Sequence, residues 1–163
     1  MKTRTLTRLA LMTAAALVLS YLESFIPLPL PGWKIGLANV VTLLLLTADT
    51  PLQALAVLVA RLLLGTLFSA NPGALLYAAA GGLLAFGVMF ALKKCLPGRL
   101  SSVGLSIAGA AAHHAGQVGV ACLILGSTAP LAFLPFLLGV SLPTGALTGA
   151  LCIALGRAVK REE

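Results

Sequence analysis

Acid is what this chain of 163 residues nearly lacks: it carries four Asp and Glu in all, and Asp49 is its single aspartate. Charge of either sign makes up only 9% of the residues and aromatics 6%, against 60% hydrophobic. A surface so poor in charge excludes an ordinary water-solvated domain. The sequence holds no G-x-x-x-x-G-K-[ST] run, so it has no phosphate-cradling ATPase loop of its own. Its three cysteines, Cys95, Cys122 and Cys152, show no C-x-x-C spacing and lie among apolar residues. They read as small packing residues, with no disulfide and no metal assigned to them.

Long apolar runs are what is present. A helix rises about 1.5 Å per residue and needs roughly 20 apolar residues to cross about 30 Å of hydrocarbon. Runs bounded by Pro, Gly and charge predict helices near 7–26, 35–47, 51–68, 74–93, 101–125 and 132–156. The expected fold is an all-α integral membrane protein, a compact bundle of about six transmembrane helices forming one domain over 1–163, with the lipid bilayer as its solvent. The second run is short for a full crossing and must tilt, meet thinned bilayer or start deeper than its neighbours. Thr50 followed by Pro51 suits a helix start, since Thr caps and Pro fits the first helical position. The basic N-terminus and following apolar stretch resemble a secretory signal, but the stretch from Leu9 to Ile26 is too long and reads as a retained first helix.

The net charge of +7 is a topology signal rather than a nucleic-acid footprint, because no basic face interleaved with aromatics is present. With the N-terminus inside, the cytoplasmic segments hold Lys2, Arg4, Arg8, Lys93, Lys94, Arg99, Arg157, Lys160 and Arg161, leaving Lys34 and Arg61 of the eleven Lys and Arg elsewhere. Both termini are therefore expected in the cytoplasm. The turn from Thr47 to Pro51 carries no positive residue and is placed by parity alone.

A buried charge in a bilayer costs several kcal/mol unless it is paired or faces water, so each polar residue within a span is a candidate site residue. Glu23 lies near the outer end of the first helix, Lys34 and Asn39 in the outer part of the second, Arg61 in the third and Asn71 in an outer loop. His113, His114 and Gln117 fall near the middle of the fifth, where a spacing of four puts His113 and Gln117 on one face. Two readings compete. In one, Arg61 pairs with Glu23 as a structural ion pair and the histidines hydrogen-bond to neighbouring helices. In the other, Glu23, Lys34, Asn39, Arg61, His113 and Gln117 line an outward-opening cavity in which two cations face one acid and an anionic small molecule restores the balance.

Catalysis finds no support, since a prenyl transferase of the usual kind holds magnesium with clustered aspartates and Asp49 stands alone. Adjacent histidines point about 100° apart on a helix and lack a third ligand, so no metal is assigned, and nothing calls for a cofactor. Glycines in the last four helices mark close helix approach. Ala10 and Ala14 form a small-x-x-x-small pattern that spacing alone assigns first to internal packing.

Four segments together resemble a known family: Lys34-Ile35-Gly36-Leu37-Ala38-Asn39, Arg61-Leu62-Leu63-Leu64-Gly65, Gly81-Gly82-Leu83-Leu84, and Gly109 through Gln117. The chain is similar over nearly its whole length to the heptaprenyl diphosphate synthase component I, or Gx transporter, family, which is related to substrate-binding S components of energy-coupling factor (ECF) transporters. His114 stands where that pattern leads one to expect asparagine. The resemblance implies an S-component-like six-helix fold in the cell membrane of a bacterium, with an outward-facing substrate site. It also implies that Ala10 and Ala14 contact a coupling subunit, with ATP hydrolysed on separate cytoplasmic subunits. The alternative it carries is a noncatalytic membrane subunit of a heptaprenyl diphosphate synthase or of a flavin-linked redox assembly.

Overall fold

The computed structural model describes residues 3–26, 34, 36–69 and 72–161. Lys2, the Pro27 to Gly32 turn, the expected helix start at Ile35, and Asn71 lie outside them. The described residues form α1 (Thr3–Glu23), α2 (Asn39–Thr47), α3 (Pro51–Ser69), α4 (Pro72–Cys95), α5 (Ser102–Leu125) and α6 (Leu134–Arg161), with a 3-10 turn at Ala129–Phe133 and no strand among them. The all-α bundle of six helices is the expected one.

Local chemistry explains several boundaries. Ser101 caps α5 by accepting from the Gly104 amide at 3.1 Å, and Gly126 ends it with φ 58°, a left-handed conformation that costs glycine nothing. Pro51 opens α3 as expected, but Thr50 does not cap it. Its hydroxyl instead donates to the Leu45 carbonyl at 2.8 Å and helps to close α2.

Among the described residues four segments are long and apolar enough to cross a membrane: Thr3–Glu23, Gly73–Cys95, Ser102–Leu125 and Ala129–Ala158. Helix α3 offers a shorter apolar stretch, Pro51–Leu67. Helix α2 corrects the expected second span: at 9 residues it extends only about 14 Å, less than half the hydrocarbon thickness. Its surroundings give the reason. It touches each of the other five α-helices, and Asn39 to Leu43, Leu45 and Leu46 are all buried. A helix wrapped in protein has no lipid to span, so its length is set by the bundle.

The basic ends of the chain converge. One groove is lined by Arg8 of α1, Leu44, Thr47 and Ala48 at the end of α2, Ser102 of α5, and Cys152 and Arg157 of α6. The turn after α2, which parity alone had placed, is fixed to that end by Lys93 of α4. Its ammonium donates to the Leu46 carbonyl and, at 2.5 Å, to the Asp49 carboxylate. Asp49 is largely exposed, so its part of the contact is worth little, whereas the Leu46 carbonyl is a helix-end acceptor with few alternatives. Lys93→Ala is therefore expected to cost about 1 kcal/mol in thermal unfolding and Asp49→Asn less than half of that. Equal losses would assign the stabilisation to the ion pair instead.

Candidate functional site

Helix α2 brings the polar residues together. Upstream of it the chain turns through Gly36, whose φ of 93° only glycine adopts without strain, and the Asn39 and Val40 amides donate to the Gly36 and Leu37 carbonyls. A Cβ on Gly36 would stand 3.0 Å from Asn39 Nδ2 and 3.4 Å from the His113 ring. The free amide of Leu37 donates to Oε1 of Glu23, which reaches over from the last turn of α1. Glu23 thus serves the entry to α2, where a carboxylate also meets the positive end of the helix dipole.

The ion pair between Glu23 and Arg61, on which one of the two competing readings rests, does not form. Arg61 projects from α3 into the same small cavity, but its Nη1 donates to Ser20 Oγ at 3.2 Å. The guanidinium is buried, and Nε and Nη2 have no hydrogen-bond partner. Ser20 escaped the reading of the sequence, although its place one turn before Glu23 on the same face of α1 was a usable signal. The cavity measures about 30 Å³ and is lined by Ser20, Glu23, Lys34, Arg61, Gly65 and His113, among others. That is room for about two water-sized atoms.

His113 occupies the floor between two amides. Its Nδ1 lies 3.4 Å from Asn39 Nδ2 and its Nε2 lies 3.1 Å from Gln117 Nε2, so the expected shared face of His113 and Gln117 is observed. A neutral imidazole accepts at one nitrogen and donates at the other, which requires one of these amides to offer its oxygen. Glycines make the ring's space: a Cβ on Gly81 of α4 would lie 2.8 Å from it, and one on Gly82 would lie 3.4 Å from Arg61 Nη2. His114 is fully buried behind it, its ring edge-on to that of His113 at 5.9 Å between centroids.

The polar inventory is unbalanced. Among the described residues, five buried side-chain N and O atoms of Glu23, Asn39, Arg61 and Gln117 lack a hydrogen-bond partner. Buried polar groups are ordinarily satisfied, each exception costing about 1–3 kcal/mol, so such a concentration marks a place built to meet something else. Lys34 adds a second cation above the cavity. Burial pushes its ammonium below the ordinary lysine range; Glu23 opposes the shift and Arg61 adds to it.

Every motif that carried the resemblance ends here. The first supplies Lys34, the Gly36 turn and Asn39; the second supplies Arg61 and Gly65; the third gives the glycine gap; the fourth gives His113 and Gln117. Ala10 and Ala14 are exposed on the outward side of α1, opposite its buried Thr13, Ala16, Ser20 and Glu23, so they do not pack internally as spacing alone suggested. Among the described residues no group of three His, Cys, Asp or Glu side chains converges as a metal site would require.

These features define an all-α membrane bundle with a cation-rich polar cavity between α1, α3, α4 and α5. Residues 12–155 match the family model described as heptaprenyl diphosphate synthase component I, and the chain belongs to that family. No curated protein and no solved structure matches it.

Proposed function

We propose that this protein is an S-component-like membrane subunit that binds a small anionic organic molecule for transport, with Arg61 and Lys34 taking its negative group. The observation that carries this reading is the buried Arg61 guanidinium, which faces the cavity with Nε and Nη2 unpartnered. A carboxylate or phosphate matches that planar fork with two parallel hydrogen bonds. Glu23 gives one oxygen to the α2 entry and supplies the cavity with one negative charge against the two positive charges of Lys34 and Arg61. His113 completes the polar lining, with Asn39 and Gln117 holding its ring from either side, and a neutral imidazole there orients a ligand without adding charge. The exposed Ala10 and Ala14 give α1 a smooth outward face for a coupling subunit, with ATPase subunits supplying energy from the cytoplasm. The gathering of Arg8, Lys93 and Arg157 at one end supports cytoplasmic termini in the bacterial cell membrane.

Native mass spectrometry of the gently purified protein, followed by identification of whatever is released on denaturation, tests the reading. A stoichiometric anion that disappears in Arg61→Ala supports it; an empty protein under conditions that preserve ligands in comparable membrane proteins rejects it. The pH dependence gives a second check. Because the Lys34 ammonium loses its proton below the ordinary lysine range, affinity for an anion is expected to fall as pH rises through that lowered value. Lys34→Arg, which stays charged, is expected to flatten the fall. An identical pH profile in that variant would remove Lys34 from the site.

The description of the matched family favours a second reading, a noncatalytic membrane subunit of a heptaprenyl diphosphate synthase; the resemblance read in the sequence adds a flavin-linked redox assembly to it. The lone Asp49 lies in the Lys93 contact at the basic end, so it forms no part of an aspartate cluster of the kind that holds magnesium on a diphosphate. Recovery with a prenyl transferase or flavoprotein and no ligand favours this reading. Recovery with coupling and ATPase subunits favours transport.

A further inference from the structure

We propose that the ligand is an anionic amphiphile, held head-first on Arg61 and Lys34 with its apolar body leaving sideways between α1 and α3. The proposal rests on the substrate-binding reading above and adds to it the class of ligand. The cationic cavity, at about 30 Å³, has room for a carboxylate or part of a phosphate. Beside it runs a groove of about 550 Å³. The two share Ser20, Lys34 and Gly65, so the groove begins where the cationic cavity ends.

The groove has the chemistry of a hydrocarbon channel. Its wall on α1 is built from Leu17, Val18 and Tyr21, and Val18 and Tyr21 are 59% and 67% exposed on the flank of the bundle. Helix α1 packs only against α3 and α2 among the described helices, so its outer side meets whatever surrounds the bundle. On the α3 side the passage is kept open by Gly65, where the nearest atom to an added Cβ would be Leu17 Cδ2 at 3.7 Å. A fully water-soluble ligand gains nothing from an apolar groove on that flank. A molecule with a charged head and an apolar body matches both compartments at once, the head in the cavity and the body level with lipid tails.

The test uses the full chain in phosphatidylcholine nanodiscs and two pairs of probes: dodecyl phosphate with inorganic phosphate, and dodecanoate with acetate. In at least one pair, both members are expected to bind the wild type and to weaken about a hundredfold or more in Arg61→Ala. Val18→Trp, on the exposed wall, is expected to weaken the long-chain member about tenfold or more and its chainless partner less than about twofold. Leu17→Trp, on the same groove wall and outside the cationic cavity, repeats the measurement at a second position. If chainless anions bind in an Arg61-dependent manner while the long-chain members do not bind, or ignore both groove variants, the amphiphile proposal is overturned and the binding-subunit reading stands. If no probe binds, or binding ignores Arg61, both fall. Displacement of a bound long-chain probe by phosphatidylglycerol added to the disc supports the site and identifies membrane lipid as a source; no displacement supports a single-chain ligand.

Discussion

Arg61→Ala is expected to weaken binding of the anionic ligand by roughly a hundredfold, the loss of two charge-assisted hydrogen bonds at about 1.5 kcal/mol each. Arg61→Lys keeps the charge but loses the planar fork, so its loss should be intermediate. Arg61→Met makes the sharper case. In the free protein Arg61 is a buried charge held by one hydrogen bond to Ser20, with two donor nitrogens unmet. Removing such a group and filling its volume with an apolar side chain is expected to raise stability by about 1 kcal/mol or more, as replacements of buried charged groups often do. Loss of affinity together with gain of thermal stability is the signature of a residue kept for binding. A residue kept for structure would do the reverse: Arg61→Met would lower the unfolding temperature and leave binding unchanged in the protein that remains folded.

How much of this was legible in the sequence differs by level. Composition alone placed the chain in a membrane, and the apolar runs gave the number and order of the helices, because a membrane helix must supply its own apolar length. Helix α2 escaped that logic. Hydropathy measures preference for an apolar medium and does not say whether lipid or protein provides it, so a run ending at Thr47 looked like a short span when it is a short core helix. The Lys93 bridge to Leu46 and Asp49 was illegible for a related reason: it joins residues 47 and 44 apart in sequence, and no local pattern announces it.

The candidate site was legible as an inventory and not as a geometry. Rarity of charge singled out Glu23, Lys34 and Arg61, and helical spacing correctly joined His113 to Gln117. Charge counting left two cations facing one acid and so pointed to an anionic ligand, while the competing reading paired Glu23 with Arg61, since opposite charges in a low-dielectric medium attract strongly. It could not foresee the amide of Leu37, freed by the turn at Gly36, as a competing claimant on the carboxylate. That backbone amide must find an acceptor wherever water is absent. The result is an arginine with spare donors, which is what turns a structural pair into a candidate anion site.

The tightest contacts in the bundle lie between α5 and α6, and substitutions there are expected to be the most damaging to the fold. A Cβ on Gly145 would stand 2.5 Å from the Ile107 Cα, and one on Gly149 would stand 2.6 Å from the Val103 Cα. These neighbours are backbone atoms and cannot rotate aside, so a methyl group at either position must push the helices apart along the seam. It would also strain the buried contact in which Ser106 and Thr148 hydroxyls meet at 2.5 Å across the same interface. Overpacking of this kind costs about 1–3 kcal/mol per site, and two sites one turn apart share a single displacement. Gly145→Ala with Gly149→Ala is therefore expected to cost about 3–5 kcal/mol, less than the sum of two independent maximal penalties. Gly119→Ala in α5 and Gly139→Ala in α6 provide the contrast, because an added Cβ there meets nothing within 4 Å. They are expected to be neutral or to stabilise by about 0.5 kcal/mol, from the helix preference of alanine over glycine. The comparison is made by thermal or denaturant unfolding in one detergent. Equal behaviour of the two pairs would mean that helix propensity, and not close approach, governs the glycines of this membrane protein.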